Sequence, residues 1–153
     1  MKNTDIKSSR NVIILFCFMI FTTTLSAQKI RLKLGKIIIN DIEVFSYNES
    51  SNVSGRYRSI YKLNTNDEVI FIKENNGGTT SGSNPEVDDF VTYNFLKEKI
   101  KVEIAGITLF RDEVAFMLKE GVFDLQGNLN SEKIILFKDK FDEKVSEKIM
   151  IRK

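Results

Sequence analysis

The sequence predicts a strand-rich α+β domain: an antiparallel sheet, either a partly closed barrel or a sandwich, with one or two short helices. Three observations predict it. Several short runs alternate apolar and polar residues, the period of a half-buried strand. Turn-forming pairs such as Asn40-Asp41 and Gly127-Asn128 separate these runs, as hairpin connections do. One segment, about 111–120, has helical spacing instead, with Phe110, Val114, Met117 and Leu118 at i, i+4, i+7 and i+8, a single stripe of a helix.

Taken in order, Lys29 to Leu34 alternates without a fault, setting Ile30, Leu32 and Leu34 against Lys29, Arg31 and Lys33, and Gly35 breaks the run. Lys36 to Tyr47 reads as a hairpin turning at Asn40-Asp41, because Asn and Asp tolerate the positive φ of a tight turn. Asn48 to Gly55 reads as a polar loop. Arg56–Leu63 and Glu68–Lys73, rich in β-branched and aromatic residues, form a second hairpin around residues 64–67. Asn75 to Asn84 has no apolar side chain to bury and reads as a loop within the domain.

Pro85 to Leu96 carries two signals. Asn84, Pro85 and the acidic residues that follow suit a helix start, whereas Val91, Tyr93 and Phe95 suit a strand face; a helical turn feeding a strand combines both. Lys99 to Ile104 alternates again. After the helix, Asp112 and Glu113 at its start and Lys119-Glu120-Gly121 at its end supply start and stop signals. Val122–Gln126 and Leu129–Phe137 then flank Gly127-Asn128 as a hairpin, and Glu147–Arg152 reads as a last strand with Ile149 and Ile151 inside.

Residues 1–27 have a different character. Lys2, Lys7 and Arg10 precede an unbroken apolar run, Val12 to Phe21, followed by three threonines and Leu25-Ser26-Ala27. That is the layout of a secretory signal peptide cleaved after Ala27, too short in its apolar part for the ~20 residues of a spanning helix. Cleavage removes Cys17, the chain's one cysteine, and leaves 126 residues, 28–153, as a single β-rich domain without disulfides. A chain of this size stabilises itself by packing, for which it retains nine Phe and four Tyr. The expected location is the bacterial periplasm or the cell exterior, with no transmembrane span in the mature chain.

Composition then narrows the chemistry. The leader holds three basic residues and one acidic, so the remainder carries twenty of each and is formally neutral. This argues against a nucleic-acid partner, which selects excess positive charge. The chain has no His, which excludes Ser-His-Asp and Cys-His catalysis and His-ligated zinc. Ser59-Ile60-Tyr61-Lys62 has S-x-x-K spacing, but in a strand an offset of three puts the two side chains on opposite faces, so the match is chance. Asp124, Asn128 and Asn130 lack the spacing of a calcium loop. No metal or cofactor is expected.

What remains is surface and carboxylate chemistry. Arg56, Arg58 and Lys62 share one strand face and form a candidate surface for an anionic partner; the stripes Lys29/Arg31/Lys33 and Lys97/Lys99/Lys101 have the same pattern. Tyr57 and Tyr61 take the opposite face, expected to be core. With Tyr47 and Tyr93 they are candidate lining for an apolar ligand. Clustered carboxylates, Glu86/Asp88/Asp89, Asp112/Glu113 and Asp139/Asp142/Glu143, are the only acid–base groups. These residues point to a non-enzymatic exported module binding an envelope or extracellular protein or glycan. A carboxylate-dependent hydrolase of envelope polysaccharide and a small-barrel carrier of an apolar ligand are the alternatives.

Overall fold

A computed structural model describes residues 28–53, 55–75, 89–106 and 109–151; residues 1–27 with Cys17, and most of the Asn75–Asn84 stretch, lie outside them. Seven strands follow one another in space as in sequence: β1 (Ile30–Lys33), β2 (Lys36–Ile39), β3 (Ile42–Asn52), β4 (Gly55–Lys62), β5 (Glu68–Asn75), β6 (Phe90–Phe95) and β7 (Ile100–Ala105). All neighbours are antiparallel. The result is one open meander, so the fold is the strand-rich α+β class, and its sheet is neither closed into a barrel nor doubled into a sandwich.

The tight turns form where local chemistry allows them. Asn40 (φ 51°) and Asp41 (φ 66°) both occupy the left-handed region, which a two-residue turn with the twist of a hairpin requires. Asn48 to Gly55, by contrast, is not a loop. Strand β3 continues to Asn52, paired with Gly55, so the segment is the outer part of a long β-ribbon. Its polar residues are legal in strand geometry because this part of β3 is exposed. Between 85 and 96 the described part is strand β6.

Three helices follow the sheet. Helix α1 (Phe110–Lys119) lies where its apolar stripe predicts, with Phe110, Val114, Met117 and Leu118 buried. Helix α2 (Ser131–Phe141) replaces the strand expected over Leu129–Phe137. Only Leu129 keeps a strand contact, an isolated bridge to Phe123. Asn130 ends the extended chain, its side chain accepting the Lys133 N–H at 3.1 Å, and Ile134, Phe137 and Phe141 then recur at helical spacing. Helix α3 (Val145–Ile151) likewise replaces the expected last strand.

The pairing register sorts the side chains. Ile37, Phe45, Ile60, Ile70, Ile72, Tyr93, Phe95 and Val102 are buried with the apolar residues of α1 and α2 in one cluster. Phe137 of α2 meets Tyr93 and Phe95 at 6.1 and 6.0 Å between ring centres. Burying a side chain of that size stabilises by about 1.5–3 kcal/mol, and aromatic pairs add ~0.5–1.5.

The connection from α2 to α3 runs along β7. Glu143 N–H donates to the Glu103 carbonyl (2.8 Å), and Glu103 N–H to Asp142 Oδ1 (3.0 Å). These bonds occupy backbone groups that an edge strand otherwise offers to another chain. The opposite sheet face is half-exposed over β4 and β5, where Tyr57, Ser59, Tyr61, Phe71 and Lys73 stand.

Candidate functional site

Strand pleating keeps Arg56, Arg58 and Lys62 on one face, as the sequence predicts, but that face is the one the helices cover. Arg58 is 1% exposed. Its Nη1 donates to Glu113 Oε2 of α1 at 3.2 Å, and its Nη2 forms an ion pair with Glu74 of β5. Its Nε donates to Glu49, on the register-paired position of β3, at 3.3 Å, and its guanidinium carbon lies 4.7 Å from the centre of the Phe110 ring. Arg58 is therefore a buried strut between sheet and helix and not part of a docking surface. The reason is local: alternation says which residues share a face, while the arrival of α1 decides which face is enclosed.

Arg56, half-exposed, pairs with Glu49 at 3.2 Å and lies 3.9 Å from Glu74. Lys62 is exposed at the strand end. One enclosed guanidinium thus meets two enclosed carboxylates, with Glu49 and Arg56 at the rim. In a low-dielectric setting such a cluster holds only while every member keeps its partner. The other cationic stripes are also divided: Arg31 pairs with Asp41, Lys101 with Glu103, and Lys99 sits at a turn with φ 55°.

The four tyrosines do not converge either. Tyr47 packs edge-on against Phe110 at 5.1 Å, and Tyr93 is buried below α2, both on the covered face. Burial, with the Glu113 charge beside it, raises the Tyr93 phenol well above its ordinary value of 10.0, against a smaller opposing effect of Arg58. Tyr57 and Tyr61 are on the other face and are not core. Tyr57 stacks on Phe71 at 6.2 Å with the Lys73 ammonium 5.8 Å over its ring. Tyr47 and Tyr61 both border one groove, but sheet thickness separates the rings of the two pairs, and the four do not line one cavity among the described residues.

Of the carboxylates expected as acid–base candidates, Glu113, Asp142 and Glu143 serve the fold. Glu113 faces Arg58 while adjacent Asp112 is exposed. Burial pushes the Glu103 carboxyl up, but hydrogen bonds from Lys101 and from the Ser146 N–H and hydroxyl more than offset it and hold it below the carboxylate range. Asp142 follows the same logic: burial raises it, and Lys138 together with the Glu103 N–H lowers it further. Glu86 and Asp88 lie outside the described residues. Asp124 accepts hydrogen bonds from Asn128, side chain and backbone, and from Gln126 N–H, which lower its pKa and close the turn. Among the described residues no group of three acidic, His or Cys side chains is placed to hold a metal, and no helix is long and apolar enough to cross a membrane.

The partners of Arg58 were not readable from sequence. Glu113 is 55 positions away, beyond any local spacing rule. Glu49 alone had a signal, since extending the β3–β4 hairpin past Asn48 places it opposite Arg58.

No protein-family model, curated protein or solved structure matches the chain.

Proposed function

We propose that the protein is an exported, non-enzymatic binding module that meets its partner through the half-exposed face of β3–β5. The observation that carries this reading is the row of accessible aromatic side chains there: Tyr57 stacked on Phe71, with Tyr61 on the same strand and face. Aromatic rings with a polar tip concentrate contact energy at recognition surfaces. Export rests on the leader-like layout of residues 1–27.

Two features weigh against the alternatives. The enclosed carboxylates are all engaged within the fold, Glu113 and Glu74 by Arg58 and Glu103 by Lys101 and Ser146, whereas hydrolysis asks for a pair flanking a substrate cleft. The space between sheet and helices, where a carrier would hold an apolar ligand, is occupied by Phe45, Phe95, Met117 and Phe137.

The test is retention of the purified protein on washed, insoluble envelope material. Wild type is expected to be retained, the Tyr57→Ala/Phe71→Ala variant to be retained about tenfold less, and Arg111→Ala, at an exposed position of α1, to match wild type. Equal retention of all three, or of none, refutes the reading.

A further inference from the structure

We infer that a groove beside Tyr61 binds a neutral carbohydrate, a claim that rests on the binding-module reading and adds the class of ligand to it. The groove encloses about 450 Å³ on the half-exposed side of the sheet, within the ~300–1,000 Å³ of small-molecule sites. Ser46 and Tyr61, register partners on β3 and β4, and Asn48, two residues along β3, form its floor. The β1–β2 turn at Leu34-Gly35 and the β4–β5 turn at Thr65-Asn66 form its walls.

Its chemistry selects the ligand. No charged side chain lines it. At its margins Lys36 pairs in register with Ser46, and Glu68 with Tyr61, which places one charge of each sign on opposite sides of the groove. The Thr65 hydroxyl is already used, bonded to the Lys62 carbonyl and the Asp67 N–H. The side chains of Ser46, Asn48, Tyr61 and Asn66 make no hydrogen bond among the described residues, so two amides and two hydroxyls converge with their donors and acceptors available. An anion finds no counter-charge in this lining, and an apolar ligand strips water from the amides without replacing the bonds. A sugar supplies hydroxyls that both donate and accept, and a C–H face that packs on the Tyr61 ring.

The experiment is calorimetric titration and amide-shift mapping of the purified protein with hexamers of glucose (α-1,4 and β-1,4 linked), mannose and N-acetylglucosamine, and with a galacturonate hexamer as the anionic counterpart. At least one neutral hexamer is expected to bind, with shifts centred on Ser46, Asn48, Tyr61 and Asn66. Affinity should fall about tenfold in Asn48→Ala and in Tyr61→Ala, while Tyr61→Phe, which keeps the ring, loses less. Unchanged amide dispersion checks that each variant is folded.

Binding of no neutral hexamer, shifts that avoid the groove, or tighter binding of galacturonate there overturns the proposal. If that happens while Tyr57→Ala/Phe71→Ala still lowers envelope retention about tenfold, only the ligand assignment fails. If retention is also insensitive to that variant, the binding-module reading fails with it.

Discussion

Arg58 and Glu113 are 55 residues apart in the chain and 3.2 Å apart in the fold, and neither side chain is more than 1% exposed. This contact fastens α1 across β4, and the Arg58–Glu74 pair extends it to β5. A guanidinium is suited to the position because its planar fork addresses several carboxylates at once and stacks on Phe110.

Replacing Arg58 with Met keeps much of the volume but abandons two enclosed carboxylates. The expected loss is about 3–5 kcal/mol in urea unfolding followed by far-UV circular dichroism. Glu113→Gln costs less, since Arg58 still holds Glu74 and Glu49. In the double variant the two losses should be non-additive by at least ~0.5 kcal/mol. Additive losses argue that the two side chains do not interact in solution.

Acid should loosen the clamp between β7 and α3. Glu103 and Asp142 both have folded pKa values below their ordinary values, so the unfolded chain binds more protons as pH drops. Their contribution is complete above the ordinary carboxylate pKa of about 4 and disappears as pH falls through the lower, folded values. Urea midpoints measured from pH 6 to pH 2 should decline below about pH 4, and Glu103→Gln should flatten part of that decline. A Glu103→Gln curve parallel to wild type contradicts the assignment.

Tyr93 should be silent in alkali. Its raised pKa means the folded protein keeps this phenol protonated while the unfolded chain releases its proton near pH 10, so stability falls as pH rises above that value. Tyr93→Phe should leave the folded-state phenolate absorbance titration unchanged, with the difference appearing only on unfolding. A smaller folded-state amplitude in the variant refutes this.

Two local positions test how the last quarter of the chain is held. Asn130→Ala removes the α2 cap and should cost about 1 kcal/mol, with Asn130→Ser close to wild type. Gly127 has φ 78°, and a Cβ there sits 2.8 Å from the Val44 carbonyl oxygen. Gly127→Ala therefore combines strain with a backbone clash and should cost about 1–3 kcal/mol. Thermal unfolding compares all three; an Asn130→Ser loss as large as that of Ala removes the capping explanation.

Most strands and α1 were legible because their causes are near neighbours, whereas the polar outer half of β3, Asn48 to Asn52, passed for a loop. Asn40-Asp41 and the alternation of Lys29–Leu34 act over a few residues. The α2 segment misled because Gly127-Asn128 signals a turn in either context, and Leu129-to-Phe137 contains enough Ile, Leu and Phe to suit a strand. The deciding signals were Asn130 as a cap and the spacing of Ile134, Phe137 and Phe141. The candidate groove was only partly legible: Tyr61 stood out, but Ser46 and Asn48 come from β3 and Asn66 from the β4–β5 turn, and their meeting depends on the register of β3 with β4.

Taken alone, the amino-acid order determined the strand periods, the reversals and the amphipathic stripe of α1, all set by steric and hydrogen-bonding preferences of nearby residues, and composition alone removed imidazole chemistry. Tertiary structure decided which side of the sheet is enclosed. That choice follows from where two helices land, some fifty and seventy residues after β4, and a side chain's environment changes sign with it: Arg58 goes inside, Tyr57 and Tyr61 stay at the surface. Pleating by itself is symmetric between the two faces, so only the packing partner breaks the tie.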